Sequence, residues 1–167
     1  MNNVVQNITI RGKIVFDVPN VTRKHNRQAD WKRIAMVVFE DDTAEYYSWF
    51  IKRRYGITLN KPLRGPHITF VNDSVREING GDKVWEEVRK KWDGKEIEVT
   101  LNLDVRTNIE YWWLRASSES FNLVREELGI GEPYFSYHMT IGFPNERNIE
   151  QSEYIHNLIM KFGGEYN

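Results

Sequence analysis

The chain of 167 residues contains no cysteine. This absence excludes disulfide bonds, a thiolate nucleophile and zinc sites built on cysteine. The chain also has almost no net charge, because 23 basic residues are balanced by 24 acidic ones. Proteins that bind long nucleic acids usually carry a basic patch or a basic excess, so we expect a small anionic ligand in a locally basic cleft instead.

Long apolar runs are also missing. No stretch approaches the roughly 18 apolar residues of a membrane-spanning helix. The first residues, MNNVVQNITIRGK, lack the basic segment followed by an apolar core that marks a secretory signal. Apolar residues make up 40% of the chain and charged residues 28%, which is typical of soluble globular proteins. We therefore expect a cytoplasmic, single-domain protein with no membrane partner.

The spacing of apolar residues predicts an α+β fold made of two similar halves. The first half begins with an alternating strand, a polar loop and a buried strand, over residues 8–18, 20–32 and 33–39. A helix ending near Gly56 follows, and a second helix is predicted to be capped by Asp82 and ended by Gly94. Each half should close on a strand that carries the same short motif.

The second half repeats this plan. Strands over 97–105 and 110–116 are expected to pair antiparallel around residues 106–108. A helix closed by Gly129 and a last helix over 148–162 complete the order. The repeated order indicates an internal duplication.

The shared motif is His-x-Thr, present as His67-Ile68-Thr69 and His138-Met139-Thr140. Successive side chains of a strand point to opposite faces, so each His and its Thr project together while Ile68 and Met139 face the core. If the two strands lie side by side, two imidazoles face each other across a cleft that the Thr hydroxyls line.

Paired imidazoles of this kind suit phosphate ester chemistry. Histidine can act as acid and base near neutral pH, so one ring can take a proton from an attacking hydroxyl while the other protonates the departing oxygen. In a ribonucleotide the attacking group is the 2′-hydroxyl, and neither a metal nor another cofactor is required. Each Thr hydroxyl can donate a hydrogen bond to a non-bridging phosphate oxygen. Arg64 and Arg115 are the cations expected nearest the phosphate.

Other interpretations compete with this one. A single His-x-Thr on a strand is usually structural, and two His residues can serve a metal, although the close His/His or His/Glu spacing of zinc ligands on one element is missing. No Gly-x-Ser-x-Gly turn supports a serine nucleophile. Tyr134, Phe135 and Tyr137 are either core rings or a stacking platform for the ligand, and both possibilities stay open.

Two His-x-Thr strands in two similar halves resemble the 2H phosphoesterase superfamily, which includes 2′,3′-cyclic phosphodiesterases, RNA-ligase-like enzymes and degraders of nucleotide second messengers. The resemblance covers residues 33–162. Segments 61–70 (KPLRGPHITF) and 137–143 (YHMTIGF) are most similar to the phage anti-CBASS phosphodiesterases. Those enzymes destroy the cyclic di- and trinucleotides with which bacteria trigger antiviral cell death.

The resemblance implies a two-lobed fold with mainly antiparallel sheets around a central cleft and helices packed outside. It implies one bilobal domain over 33–167. The extension before it, residues 1–32 with a strand and a polar loop, has no counterpart in the family, which leaves open whether it is an added strand, a lid or an interface. The resemblance also implies a catalytic set and, near the chain end, two residues that cover the nucleotide. The catalytic set is His67, Thr69, His138 and Thr140, and the covering residues are Glu165 and Tyr166.

The expected function is therefore metal-independent cleavage of 3′–5′ bonds in cyclic oligonucleotides such as cyclic GMP-AMP, acting against CBASS immunity in the cytoplasm of a phage-infected bacterium. A 2H enzyme acting on 2′,3′-cyclic phosphates or 2′–5′ RNA linkages would use the same four residues. A third possibility is a sponge that binds cyclic nucleotides without cleaving them. The full pair of His-x-Thr motifs argues against the sponge, because binding alone does not need two titratable groups.

Overall fold

The computed structural model describes residues 6–18, 33–72 and 78–162. Within these ranges eight strands and four helices follow one another. The strands are β1 (Asn7–Phe16), β2 (Ile34–Val38), β3 (Leu59–Asn60), β4 (His67–Asn72), β5 (Glu96–Asn102), β6 (Arg106–Thr107), β7 (Trp112–Ser117) and β8 (His138–Pro144). The helices are α1 (Thr43–Tyr55), α2 (Gly81–Trp92), α3 (Glu119–Glu127) and α4 (Ile149–Phe162), the last preceded by a 3₁₀ turn at Glu146–Asn148.

The α+β class is confirmed, and every strand pairing among the described residues is antiparallel. Two local predictions are wrong. Asp82 does not cap α2, because the helix begins at Gly81 and the left-handed Gly80 precedes it, so that Asp82 lies in the first turn. Residues Arg106 and Thr107 are not a turn but the short strand β6, which pairs with β7 and moves the reversal of the chain to residues 108–111.

The strands form one sheet in the order β3-β8-β7-β5-β1-β2-β4, and β6 pairs with β7 beside this path. Strands β1 and β5 are neighbours at its centre, with β2 and β4 of the first half outward from β1 and with β7 and β8 of the second half outward from β5. The short strand β3 is the exception, because it comes from the first half but pairs with β8 at the far edge. The helices repeat as well: α1 and α3 each precede a His-x-Thr strand, and α2 and α4 each follow one. The two halves are therefore arranged about the β1–β5 pair.

Strand β1, which the sequence assigned to an extension, lies at the middle of the sheet between β2 and β5. It contributes the buried side chains of Ile14 and Phe16 to the core. Residues 33–162 thus share their core with β1, and residues 19–32 lie outside the described residues.

One face of the sheet is apolar and carries the helices. Ile14, Val37 and Ile68 are cross-strand neighbours on β1, β2 and β4, and all three are fully buried. Leu114 and Met139 form the equivalent buried pair on β7 and β8. Each such side chain contributes roughly 1.5–3 kcal/mol through its burial. The helices close this core with residues Tyr47, Ile51, Trp85, Val88, Trp92, Phe121, Val124, Leu128 and Ile155.

The other face carries the polar residues of the same strands. His67 lies opposite Val38 in the β2–β4 register, Val38 lies opposite Lys13, and Lys13 lies opposite Glu96. Directly opposed residues share a face, so this chain of neighbours follows one surface across the sheet. It continues through Thr100 and Ser117 on β5 and β7 to Arg115, which lies opposite His138. Both histidines therefore lie on the polar face.

The two His-x-Thr strands are not hydrogen-bonded neighbours, since β4 ends the strand path and β8 lies one strand from its other end. They nevertheless approach each other, with Cα atoms of β4 and β8 within 8 Å. The sheet is therefore curved so strongly that the outer strands of its two halves meet. Among the described residues no helix combines the length and the apolar composition that crossing a membrane requires.

Candidate functional site

Both His-x-Thr pairs line one cavity of about 210 Å³. His67 and Thr69 enter it from β4, and His138 and Thr140 enter it from β8. All four side chains are partly exposed, whereas the residue between each His and Thr is fully buried. The remaining lining residues are Asn72, Tyr134 and Phe135. Two segments distant in sequence thus supply matched polar groups to the same space.

The two imidazoles are held in the same way. Nδ1 of His67 lies 2.8 Å from the carbonyl oxygen of Gly65, and Nδ1 of His138 lies 2.8 Å from that of Ser136. A carbonyl oxygen only accepts hydrogen bonds, so Nδ1 carries the hydrogen and donates it in both rings. In the neutral ring this leaves the lone pair on Nε2. Each histidine is therefore oriented by the backbone two residues before it, in the tautomer that can accept a proton at Nε2.

A β-bulge follows Thr in both motifs. Thr69 opposes Met36 and Val71 opposes Ala35, so Phe70 is the extra residue of β4. In β8 the same irregularity falls after Thr140, and Ile141 is the extra residue. A bulge of this kind inserts one residue and re-aims the side chains beyond it.

The bulge in β4 explains why Asn72 reaches the cavity. Phe70 and Val71 are consecutive and both buried, so the alternation of faces shifts by one position. Asn72 is thereby placed on the same face as His67 and Thr69. Strict alternation would have placed Asn72 on the core face, and this is why the sequence pattern missed it. Strand β8 shows the same burial pattern as β4, with the consecutive residues Ile141 and Gly142 both buried.

Tyr134 and Phe135 come from the loop that leads into β8. Their rings meet edge to face, with centroids 5.0 Å apart. Tyr134 is 60% exposed although it lines the cavity, so a flat aromatic face is available to a ligand. Of the two interpretations left open by the sequence, this placement fits the stacking platform better than the core for these two rings.

A second aromatic surface lies beside His138. The Tyr111 ring is 5.7 Å from the imidazole and tilted by 33°, and the Trp113 ring is 6.3 Å away. Tyr111 also contacts Trp113 at 4.8 Å and Phe143 at 6.4 Å. Burial, followed by the charge of Glu110, raises the pKa of the Tyr111 hydroxyl, so this group stays protonated. Sequence reasoning missed this surface, because the pairing of Trp113 with Thr140 that places it depends on the register between β7 and β8.

The hairpin that carries Tyr111 is held in an uncommon conformation. Ile109 has a φ of 84°, which a β-branched residue rarely adopts. Its N–H donates to Thr107 Oγ1 at 3.2 Å, and its carbonyl accepts from Ser152 Oγ at 3.2 Å. Thr107 Oγ1 also donates to the Tyr111 carbonyl at 3.0 Å. Strain of this kind persists only where surrounding contacts enforce it, and here those contacts position Tyr111.

The two predicted cations lie close to the motifs but outside the set that lines the cavity. Arg115 is the cross-strand partner of His138, so both side chains share the polar face. Arg64 lies in the turn that leads to His67, and burial lowers the pKa of its guanidinium. The sheet register therefore places Arg115 beside the candidate site. For Arg64 the link to the site is that it lies three residues before His67 in the chain.

Tyr137 is placed differently from its neighbours. Its ring packs edge to face on Phe121 at 4.9 Å, and it lines a separate depression beside Glu98 and Thr100. Burial, opposed in part by the charge of Arg125, raises the pKa of its hydroxyl. The structure does not bring Tyr137 together with the histidines. Glu165 and Tyr166, the predicted covering residues, lie outside the described residues.

The residues that line the cavity include no carboxylate. Within the described ranges, no group of three or more His, Asp or Glu side chains is arranged to hold a metal ion. The lining offers two imidazoles, two threonine hydroxyls, one tyrosine hydroxyl and one amide, which are groups that donate hydrogen bonds to an anion. Comparisons with protein-family models, with curated proteins and with solved structures found no match to this chain.

Proposed function

We propose that the protein is a phosphodiesterase that cleaves cyclic di- or trinucleotides with the side chains of His67 and His138. The observation that supports this most directly is the convergence of both His-x-Thr pairs on one small cavity. Both rings also donate a hydrogen bond from Nδ1 to the carbonyl two residues earlier, so they are presented to the cavity in the same tautomer. Two titratable groups that line the same cavity are what acid–base catalysis of ester cleavage needs.

In the proposed reaction, Nε2 of one histidine takes the proton of a ribose 2′-hydroxyl. The 2′-oxygen attacks the adjacent phosphorus, and a new P–O2′ bond forms while the P–O5′ bond breaks. The second imidazole, protonated at Nε2, gives that proton to the departing 5′-oxygen. The product is a linear nucleotide ending in a 2′,3′-cyclic phosphate, and the two rings have exchanged protonation states. Reversing their roles allows water to open the cyclic phosphate.

The backbone contacts favour this exchange. Nδ1–H of each ring donates to a carbonyl oxygen in both the neutral and the protonated state, so neither imidazole needs to rotate when Nε2 gains or loses its proton. A carbonyl dipole at this position also stabilises the imidazolium. The same pair of rings can therefore work through successive turnovers in one fixed orientation.

Cavity size and surroundings support a nucleotide as the substrate. A volume of about 210 Å³ is below the roughly 300 Å³ at which pockets for whole drug-sized ligands begin, so the cavity suits a phosphodiester and part of its riboses. The bases must then lie outside it. Two groups of aromatic rings are near the cavity: Tyr134 and Phe135 line it, and Tyr111 and Trp113 lie beside His138. Stacking on such rings is a common way of holding bases.

We further propose that the fold is the bilobal one of the 2H phosphoesterases and that cleavage counters CBASS immunity. Support comes from the repeated order of strands and helices about the β1–β5 pair and from the matching bulge after each motif. Both features fit a duplicated ancestral unit. The choice of cyclic oligonucleotides over RNA ends depends on segments 61–70 and 137–143, which resemble the phage enzymes.

The decisive experiment offers the purified protein a panel of substrates in the presence of EDTA. The panel contains cyclic dinucleotides, cyclic trinucleotides, 2′,3′-cyclic mononucleotides and a 2′–5′ linked dinucleotide, and the products are identified by mass spectrometry. We expect linear products from cyclic oligonucleotides at an unchanged rate with EDTA. Loss of activity on chelation would refute the proposed mechanism.

The other outcomes identify the alternatives. Turnover of only the mononucleotides or the 2′–5′ dinucleotide would assign the protein to the RNA-processing type of 2H enzyme. Stoichiometric recovery of intact cyclic ligand after heating the protein would identify a sponge. In either case the proposal for cyclic oligonucleotides is wrong.

The two threonines provide a matched test of transition-state stabilisation. Thr69→Val and Thr140→Val keep the shape of the side chain but remove the donor to the phosphate oxygen, so each is expected to lower kcat by about 10-fold to 100-fold. Thr→Ser at the same positions keeps the hydroxyl and is expected to retain most of the rate. Steady-state kinetics of the four variants check this. A loss in the Ser variants together with an unchanged rate in the Val variants would show that the methyl group matters instead of the hydroxyl.

A further inference from the structure

Arg125 is a buried cation that contacts both halves of the candidate site. It lies on α3 and is only 4% exposed. Its Nε donates to the Gly131 carbonyl at 2.8 Å, and its Nη1 donates to the Phe70 carbonyl at 2.9 Å. Phe70 belongs to the first His-x-Thr strand, whereas Gly131 belongs to the loop that leads to the second. A single guanidinium thus bonds to backbone from both sides of the cavity.

The contact with Phe70 stabilises the bulge of β4. Phe70 is the extra residue of that bulge and immediately follows Thr69. Because an extra residue has no cross-strand partner, its backbone groups need partners from elsewhere. Arg125 supplies one for the carbonyl, and the Phe70 ring stacks on Phe121 of the same helix with centroids 4.8 Å apart. Helix α3 therefore holds the position at which β4 re-aims its side chains toward the cavity.

The contact with Gly131 holds the loop before β8. The main-chain carbonyl of Arg125 also accepts from Ile130 N–H at 3.2 Å, so this loop is attached to Arg125 at two adjacent points. The loop then supplies Tyr134 to the cavity lining and Ser136, whose carbonyl orients His138. Any shift of the loop would move these groups together.

We propose that Arg125 is a positioning residue that sets the spacing between the His67 and His138 imidazoles. Its planar fork directs two N–H groups at two different carbonyls, whereas the single nitrogen of lysine cannot reproduce both directions. Arg125 is not among the residues that line the cavity, so it acts through the two strands and not on the substrate. The kinetic consequence of this role rests on the proposed function.

The kinetic test compares Arg125→Lys with Val124→Ala. Val124 is a fully buried residue of the same helix, and its replacement lowers stability without removing either carbonyl contact. We expect Arg125→Lys to lower kcat by about 10-fold to 100-fold with KM changed by less than about threefold, because misplaced catalytic groups cost rate and not binding. Val124→Ala is expected to keep kcat within about twofold of the wild type under all conditions in which the variant is folded.

A second arm does not depend on activity. The ring ¹H–¹⁵N resonances of His67 and His138 should move in Arg125→Lys and stay in place in Val124→Ala, with His156 as an internal reference. Arg125→Gln replaces Arg125→Lys if the lysine variant does not fold. The positioning role would be overturned if the ring resonances of His67 and His138 did not move in Arg125→Lys. It would also be overturned if kcat fell in proportion to the loss of stability in both Arg125→Lys and Val124→Ala. If the wild type cleaves no substrate, the proposed function fails, and the resonances still decide the role of Arg125.

Discussion

Replacing His67 or His138 by alanine is expected to lower kcat by about 100-fold to 10,000-fold, which is the usual contribution of a general acid or base. Each ring occupies one wall of the same cavity, and neither can do the work of the other during a single cleavage. The loss should therefore be large for both single variants. The double variant should lose little more than the worse single one, since groups that act as a unit are not additive.

Alanine also removes the hydrogen bond from Nδ1 to the backbone, so a second substitution is needed to separate orientation from proton transfer. Asparagine can keep a donor close to the position of Nδ1 and has no nitrogen at the position of Nε2. We expect His67→Asn and His138→Asn to be as impaired as the alanine variants, while their thermal unfolding stays close to that of the wild type. Recovery of activity in the asparagine variants would mean that the rings serve only to brace the strands.

His156 is the matched control within the chain. Its Nδ1 lies 2.8 Å from the Thr107 carbonyl, the same kind of contact that the two motif histidines make. It belongs to α4 and is not among the residues that line the cavity. His156→Asn should therefore retain kcat within about threefold. A loss comparable to that of His67→Asn would show that histidine-to-backbone bonds in general, and not the paired rings, determine activity.

A cyclic dinucleotide whose 2′-hydroxyls are replaced by hydrogen should resist cleavage completely. The proposed nucleophile is the 2′-oxygen beside the scissile phosphate, and without it the base histidine has no proton to remove. The deoxy analogue keeps the phosphates and the bases, so it should still bind. We expect it to inhibit cleavage of the ribose substrate competitively, with an inhibition constant near the KM of that substrate.

This comparison distinguishes two roles for the imidazole pair. Cleavage of the deoxy analogue at a rate near that of the ribose substrate would identify water as the direct nucleophile and exclude a 2′,3′-cyclic phosphate product. Mass spectrometry of the ribose product at early times gives the same information independently. A 2′,3′-cyclic terminus is lighter than the corresponding terminal monophosphate by one water.

Several features of the protein followed from the order of its residues. Alternation around each His-x-Thr motif correctly separated the core residues Ile68 and Met139 from the polar ones, because side chains on a strand alternate wherever the ladder is regular. The α+β class followed from the same periodicities, and so did the antiparallel pairing of β5 with β7. The end of α1 at Gly56 followed from glycine's ease in the left-handed conformation, with φ of 72° there.

Where a β-bulge interrupts a strand, the alternation of side chains along the sequence no longer predicted which face a residue occupies. The bulges after Thr69 and Thr140 depend on how β4 and β8 pair with strands far away in the chain, so the alternation rule misplaced Asn72. The aromatic surface of Tyr111 and Trp113 was missed for a similar reason. Its position beside His138 is set by the register between β7 and β8 and by the hairpin that Ser152 holds.

The two motifs could be identified from the linear chain, and the proposed chemistry was inferred from them, because both depend on residue types and on spacing within single strands. The convergence of the two motifs on one cavity depended on the curvature of the sheet. Strands β4 and β8 lie near opposite ends of the strand path and meet only because the whole sheet bends, which is a property of every pairing and helix contact taken together. Contacts of that range have no local sequence pattern, and Arg125, which joins both sides, could therefore be identified only in the folded molecule.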